Sequence, residues 1–179
     1  MDRYINSHIH LDLYKEENAL TMLQELQDSN IKAVIAVSMD LVSCKRNMEW
    51  KRRFPDLVKP AFGFHPEQPI PEPEELKQLL AWVRENEQDM IAIGEVGLPY
   101  YLRKEALEKG EHFDLKPYMV IVEEFIKLAV ELDKPIVLHA VYEDAELVCD
   151  LLQKYDVKKA HFHWFKGSKE TLTRMEQAS

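Results

Sequence analysis

The sequence is short of cysteine and of long apolar runs. Its two cysteines, Cys44 and Cys149, fall in different predicted helices with no pairing signature, which favours free thiols in a reducing compartment. No apolar run approaches the length of a membrane-spanning helix, and residues 1–5 lack the charged-then-apolar pattern of a secretory signal. We therefore expect a cytoplasmic protein with no membrane partner.

Positive charge is scarce as well. The chain carries 23 basic and 32 acidic residues, for a net charge of −9. Broad attraction to nucleic acid or anionic lipid needs a positive surface, so an anionic substrate would have to be held by a local site or a metal ion. The 179 residues, 46% of them hydrophobic, suffice for one core, and we expect a single domain over residues 1–179.

Short apolar runs alternate with segments of helical period, six times along the chain. Such alternation predicts a parallel sheet covered by helices, either an open doubly wound sheet or part of a (β/α)8 barrel. Asp40, Pro73 and Ser168 mark predicted helix starts. A long charged loop is predicted over 98–117. The strands are predicted over 3–10, 31–38, 58–64, 90–95, 135–139 and 157–163.

His8 and His10 form an HxH pair at the end of the first predicted strand. Residues two apart on a strand point to one face, so the two imidazoles form half of a site for a divalent metal. The alternative is a pair of partly buried histidines at a strand–loop junction. Six of the seven histidines favour the metal site, because they lie at or near the carboxyl ends of predicted strands, where α/β folds bind ligands. These six are His8, His10, His65, His139, His161 and His163.

Glu95 stands between two glycines at the end of the fourth predicted strand, in Gly94-Glu95-Val96-Gly97. A carboxylate there can approach a metal closely and bridge two ions. The alternative is that Glu95 caps a helix or is a solvated carboxylate in a turn. Imidazole and carboxylate ligands together suit Zn, Mn, Ni or Fe, with Mg at an oxygen-rich position. Two such ions would activate a water and stabilise a phosphoryl oxygen or an oxyanion.

Five motifs in one order give the chain a family resemblance along its whole length. The chain resembles the TatD family of metal-dependent hydrolases, within the amidohydrolase-like (β/α)8 barrels. The motifs are His8-Ile9-His10-Leu11-Asp12, Gly63-Phe64-His65-Pro66-Glu67, Gly94-Glu95-Val96-Gly97-Leu98 with Tyr100-Tyr101, Pro135-Ile136-Val137-Leu138-His139, and His163-Trp164-Phe165-Lys166-Gly167.

The resemblance implies a centre of two divalent ions. His8 and His10 would bind one ion, Glu95 would bridge both, and His139 and His163 would bind the second. His65 would act at the rim of the active site, contacting a substrate oxygen or orienting a water, with a turn-stabilising role before Pro66 as the alternative. The catalytic residues implied are thus Glu95 and His65.

The resemblance also implies an aspartate ligand on an eighth strand, and a complete barrel typically has about 250 residues. The chain ends after a sixth helix, so we expect an α/β fold of the (β/α)8 TIM-barrel type that is incomplete, with about six of eight strand–helix units and the last two lacking. Its first and sixth strands would be open edges through which copies could associate. Either a truncated form of a longer enzyme or a natural short form that closes by oligomerising fits this pattern.

Four residues are candidates for contacting the substrate. Tyr101 and Arg103 begin the predicted charged loop, and Trp164 and Lys166 stand where the family usually has Cys and Ser. Stacking aromatics beside cations suit a substrate that contains nucleotides. The alternatives are a Trp164 that packs on the rim and a solvated Lys166.

The leading hypothesis is a hydrolase that acts on ester bonds with a metal-activated water, a deoxyribonuclease or related phosphodiesterase. Its partner would be a phosphodiester or another ester, with single-stranded DNA ends among the candidates. The second hypothesis is a truncated, catalytically impaired metal-binding remnant or oligomeric module. The third is a structural α/β domain with incidental histidines.

Overall fold

The computed structural model describes residues 4–178, in which strands alternate with helices. The strands are β1 (Tyr4–Ile9), β2 (Ile31–Val37), β3 (Val58–Phe62), β4 (Ala92–Gly97), β5 (Ile136–His139) and β6 (Ala160–Phe162). The helices are α1 (Glu16–Gln27), α2 (Leu41–Arg53), α3 (Pro73–Glu85), α4 (Tyr100–Glu108), α5 (Lys116–Glu131), α6 (Asp144–Lys154) and α7 (Lys169–Ala178). Short 3-10 turns lie at Leu11–Leu13 and Glu87–Asp89.

All six strands belong to one parallel sheet in the order β1-β2-β3-β4-β5-β6. Each strand therefore lies beside the one that precedes it in the chain. This order is that of a (β/α)8 barrel, since a doubly wound sheet reverses its strand order at a switch point. The six strands form a half-barrel, which confirms the predicted fold class.

The predicted helix starts are confirmed. The Asp40 carboxylate accepts a hydrogen bond from the Ser43 amide at 2.8 Å, which caps α2. Pro73 is the first residue of α3, and the Ser168 hydroxyl accepts from the Thr171 amide at 3.1 Å at the start of α7. Each of these residues satisfies or removes a backbone donor that a first helical turn would leave without a partner.

The predicted loop over 98–117 is wrong, because α4 occupies Tyr100–Glu108. This helix buries none of its residues and has no side-chain cap from its own N-cap residue, Pro99. Its sequence therefore shows neither an apolar stripe nor a local start signal. The support comes instead from Glu67, whose carboxylate accepts hydrogen bonds from the amides of Tyr101 and Leu102, both at 2.8 Å.

All six strands differ from their predicted bounds by one to three residues, and two of these differences concern candidate ligands. β4 begins and ends two residues later than predicted, so Glu95 lies within the strand. β6 is only Ala160–Phe162, which places His163 just beyond its end. Met90 and Ile91 are as apolar as the residues inside β4, so composition does not mark where this strand begins.

Different apolar clusters lie on the two faces of the sheet. Phe62, Ile93 and Leu138 pack beneath the helices in the largest apolar cluster. Their chain neighbours Ala61, Ala92 and Val137 point to the opposite, inner face and form a separate small cluster there. Both cysteines are buried and free, as the sequence predicts.

The outer strands of the described sheet are β1 and β6. On β1, Tyr4 and Ile5 are more than half exposed. It stays a prediction that copies of the chain associate through these edges. It also stays a prediction that the chain is a single domain lacking two strand–helix units.

Within residues 4–178, no helix combines the length and the apolar character that crossing a membrane requires.

Candidate metal centre

His8 and His10 bring their Nε2 atoms to within 3.4 Å of each other at the carboxyl end of β1. His8 lies in the strand and His10 directly follows it, so alternation of strand side chains turns both rings to the same side. Two nitrogens that each lie 2.0–2.1 Å from one tetrahedral ion would be about 3.4 Å apart. The HxH pair therefore has the spacing of two ligands to one metal.

Glu95 reaches the inner face of the sheet through an irregularity in β4. The pairing of β4 with β5 shifts register between Ile93 and Val96, and both of these side chains pack in the large cluster beneath the helices. Glu95, one residue before Val96, consequently points to the inner face, where it is 1% exposed. Without this shift, alternation along the strand would direct its carboxylate beneath the helices.

Gly97 allows β4 to approach β5 closely at this point. It pairs with His139 and has a φ of 155°, and a Cβ placed on it would lie 1.9 Å from the His139 carbonyl oxygen. Any other residue would therefore displace the strand that carries His139. The glycine sets the separation of Glu95 and His139.

The Glu95 Oε2 atom is surrounded by ring nitrogens but has no hydrogen-bond partner. His8 Nε2 lies 3.0 Å and His10 Nε2 3.2 Å from it, and these three residues form one potential ligand group. A buried carboxylate oxygen without a hydrogen bond is costly unless something else satisfies it. The donor set and this orphaned oxygen fit a bound divalent cation.

A second potential ligand group shares the same carboxylate. It consists of His65, Glu95 and His139, all buried. His139 Nδ1 lies 3.2 Å from Glu95 Oε1, and His65 Nε2 lies 3.7 Å from Glu95 Oε2. Glu95 is thus the residue common to both groups, which is the position of a bridging ligand.

The histidines and Glu95 shift one another's proton affinity. Burial raises the pKa of Glu95, but the surrounding rings of His10, His139 and His8 lower it by more, so that it lies far below its usual range. Burial lowers the pKa of His139, but hydrogen bonds to Glu67 and Glu95 raise it to about 9. Burial lowers the pKa of His65 to about 4. Near pH 7 the metal-free centre therefore holds an ionised Glu95, a protonated His139 and a neutral His65.

His163 lies outside both ligand groups. Its ring stacks on that of His8, with centroids 3.3 Å apart, and burial lowers its pKa to about 4. The structure thus brings His163 to the edge of the centre, beside His8. Its role as a ligand of a second ion stays a prediction. His161 lies on β6, half-buried, with its ring centroid 6.4 Å from that of His163.

Two further carboxylates, neither of them a predicted ligand, lie next to the centre. Glu67 Oε1 accepts from His139 Nε2 at 3.2 Å, and contacts with His139 and α4 lower the pKa of Glu67 against the effect of its burial. Asp12 Oδ1 lies 3.9 Å from His10 Nδ1, and Asp12 Oδ2 accepts from the Ser43 hydroxyl at 2.8 Å. Both residues stand in the quoted histidine motifs, and that neighbourhood was the available signal.

Of the four candidate substrate contacts, Tyr101 and Trp164 lie within 6.3 Å of His139 and His163, respectively, between ring centroids. The Tyr101 ring centroid is 6.2 Å from that of His139, and Tyr101 is 39% exposed. Trp164 is 70% exposed, with Lys166 Nζ 4.7 Å from its ring centroid. Arg103 is already engaged by the buried Asp144, 2.7 Å from its guanidinium, and by Glu143. Substrate contact by these residues stays a prediction.

The fold and the cluster define a class: an α/β barrel-type protein with imidazoles and a shared carboxylate at the carboxyl edge of its sheet. The family model described as TatD related DNase matches residues 5–178. The chain belongs to this family, which confirms the resemblance seen in its motifs.

Relatives agree with this assignment, and a solved structure agrees with the fold. An uncharacterized metal-dependent hydrolase of Haemophilus influenzae is 40% identical over 169 residues, which cover 94% of this chain and 64% of the relative. A putative deoxyribonuclease, tatdn3 of Danio rerio, is 21% identical, with 98% of this chain and 66% of the relative covered. The crystal structure of YJJV, a TatD homologue from Escherichia coli, superposes with a TM-score of 0.79 at 20% identity, covering 98% of this chain and 65% of that one. The chain thus spans just under two thirds of the length of these relatives.

Proposed function

We propose that this chain is a metal-dependent hydrolase that cleaves ester bonds, and specifically a phosphodiesterase acting on single-stranded DNA ends. The observation that carries the proposal is the Glu95 Oε2 atom, buried among histidine nitrogens with no hydrogen bond. Family membership supports the reaction class, and the name of the Danio rerio relative supports a nuclease.

Two divalent ions would be held here by the chain's own residues. His8, His10 and Glu95 would hold one, and Glu95, His139 and His163 would hold the other, with Zn, Mn, Ni, Fe or Mg as candidates. When bound, such ions supply Lewis acidity and an activated water for attack on phosphorus or an acyl carbon. The shared Glu95 would keep both ions in fixed positions.

His65 is suited to donate a hydrogen bond to a substrate oxygen. Its Nδ1 atom accepts from the Glu67 amide at 3.2 Å, so the proton of the neutral ring resides on Nε2. That Nε2 atom faces the centre, 3.7 Å from Glu95. A donor fixed at this place would stabilise negative charge that develops on the reacting group.

A group of aromatic rings beginning at Tyr101, next to His139, is suited to stacking on unpaired bases. The rings of Tyr100 and Tyr101 meet at 5.3 Å and those of Tyr100 and Tyr142 at 4.7 Å between centroids. Trp164 with Lys166 adds a further stacking surface and a cation. Base stacking contributes about 1–3 kcal/mol per base and needs a single-stranded segment. The net charge of −9 argues for short ends held locally, since a chain of net negative charge repels the long phosphate backbone of a duplex.

The test measures bound metal per chain and then hydrolysis of a chromogenic phosphodiester and of a single-stranded DNA oligonucleotide. We expect metal-dependent turnover in the wild type, and its loss in His8→Ala and Glu95→Ala. Arg84→Ala is a matched control, because Arg84 pairs with Glu131 on the helical surface. If the chain binds metal but shows no metal-dependent turnover, the proposed hydrolase activity is excluded. If it binds no metal after purification in metal-replete buffer, the proposed metal centre is excluded.

A metal-binding module without catalysis is the second candidate. The observation that favours it is that both ligand groups found within residues 4–178 contain Glu95 as their sole carboxylate. A general base that orients the water would then have to be another residue. The same assay separates the two candidates, since this module binds metal but leaves both substrates intact.

A further inference from the structure

We propose that Glu67 is a positioning residue that fixes the ring of His139 and ties it to the first turn of α4. The inference rests on the proposed function, because it assigns His139 to the metal centre. It adds a link between two parts of the site: the ligand shell and the helix that carries Tyr101.

The Glu67 carboxylate makes three hydrogen bonds, all to residues distant in sequence. Oε1 accepts from His139 Nε2 at 3.2 Å and from the Tyr101 amide at 2.8 Å. Oε2 accepts from the Leu102 amide at 2.8 Å. The side chain is only 15% exposed. A carboxylate with both oxygens engaged has one orientation, and it passes that orientation to its partners.

The His139 ring lies between two carboxylates. Nδ1 faces Glu95 Oε1 at 3.2 Å, and Nε2 faces Glu67 Oε1 at the same distance. Rotation of the ring would break both contacts, so Nδ1 remains on the side of the centre. Metal-binding histidines generally hold their other nitrogen on such an outer acceptor, and loss of that acceptor costs 10–100-fold in affinity.

The other end of the link is α4. Its N-cap residue, Pro99, offers no side-chain cap, and the helix buries none of its residues. Glu67 therefore satisfies two of the backbone donors that the first turn would otherwise leave free. Since α4 carries Tyr101, displacing Glu67 would move the proposed substrate contact and the His139 ring together.

The experiment compares Glu67→Gln with wild type. Titration calorimetry with Zn²⁺ measures affinity, the His139 ring signals in carbon–proton NMR spectra of the metal-free chain report ring position, and amide exchange reports Tyr101 and Leu102. We expect 10–100-fold weaker Zn²⁺ binding, shifted His139 signals and faster exchange at both amides. Glu67→Asp, whose shorter side chain cannot span the three partners, is the second variant should the first fold poorly.

Glu72→Gln is the matched control. Glu72 caps α3 in a reciprocal capping box with Glu75, so this variant also removes a helix-capping carboxylate. It should speed exchange only in α3. Faster exchange at Tyr101 with unchanged His139 signals and Zn²⁺ affinity would reduce Glu67 to a cap and overturn the proposal. A wild type that binds no Zn²⁺ would instead defeat the proposed function, while the His139 signals would still decide the role of Glu67.

Discussion

The imidazole rings of His8 and His163 are stacked, with their centroids 3.3 Å apart and their planes 4° from parallel. His8 lies in β1 and His163 follows β6, the two outer strands of the described sheet. Their backbones are not paired, so these side chains bridge the open side of the half-barrel at its carboxyl edge. The stacking places His163, a predicted ligand of the second ion, directly beside His8, a predicted ligand of the first.

Replacing His163 distinguishes a ligand from a stacking partner. His163→Ala removes both the ring and its nitrogens, whereas His163→Phe keeps a ring that can stack on His8. On the proposed ligand role we expect both variants to lose one of two bound ions, as measured by metal analysis of the purified chain. Retention of full metal content by His163→Phe alone would contradict ligation and leave stacking as its role.

Replacing Gly97 tests how the close approach of β4 and β5 shapes the centre. In Gly97→Ala the new Cβ would meet the His139 carbonyl oxygen at 1.9 Å. We expect a loss of more than about 4 kcal/mol in unfolding free energy or a failure to fold. Gly110→Ala is the control, because Gly110 also has a positive φ, 73°, but open space around it. That variant should lose only about 1–2 kcal/mol in urea unfolding, the strain of the conformation alone. Equal losses would mean that strain, and not the collision, dominates at Gly97.

The sequence predicted the architecture and the place of the histidines, because both depend on local patterns. Alternating apolar runs and helical stripes predict parallel strands, and parallel strands bring their carboxyl ends to one edge. His8, His10 and His139 meet there around Glu95 as expected. The resemblance implies a division into two groups that share Glu95, which no local pattern contains. The first group matches the residues that the structure brings together, whereas in the second His65 lies where the resemblance implies His163.

The sequence did not predict what depends on contacts between distant segments. α4 was missed because its first turn is supported by Glu67, in a different loop. Glu67 is one of 32 acidic residues, and its place two residues after His65 indicates nearness to the site but not its contacts with His139 and α4. The register shift in β4, which turns Glu95 to the inner face, likewise follows from the pairing with β5.

The buried carboxyl of Asp144 should make stability depend on pH. Its burial raises its pKa to about 6 in spite of the adjacent Arg103 guanidinium. A folded-state pKa above the unfolded value means that the native state binds the proton more tightly, so stability falls as pH rises from about 4 through 6, by about 3 kcal/mol in total. Asp144→Asn removes this contribution.

We therefore expect the unfolding free energy of Asp144→Asn to rise relative to wild type between pH 4 and pH 7, as measured by urea unfolding. Glu143→Gln is a suitable control, since Glu143 also contacts Arg103 but its side chain is 66% exposed. A difference that stays constant across this pH range would refute the burial of an ionising Asp144.

Metal binding should release a proton from His139. In the metal-free chain its pKa is raised to about 9, against the effect of burial, by Glu67 and Glu95. This raised pKa stabilises the metal-free fold fully below pH 6.5, by about 3 kcal/mol, and the stabilisation is lost as pH rises through 9. A metal ligand must be unprotonated, so Zn²⁺ affinity should change in the opposite direction and increase with pH up to about 9.

Calorimetry of Zn²⁺ binding at pH 7, in two buffers with different ionisation enthalpies, measures the protons released. We expect about one proton from His139, and none from His65, whose pKa of about 4 leaves its ring neutral. His139→Gln should bind Zn²⁺ more weakly, lose this proton release and flatten the stability profile of the metal-free chain between pH 6.5 and 9. Binding heats that do not depend on the buffer would show that His139 either stays protonated or does not bind the ion.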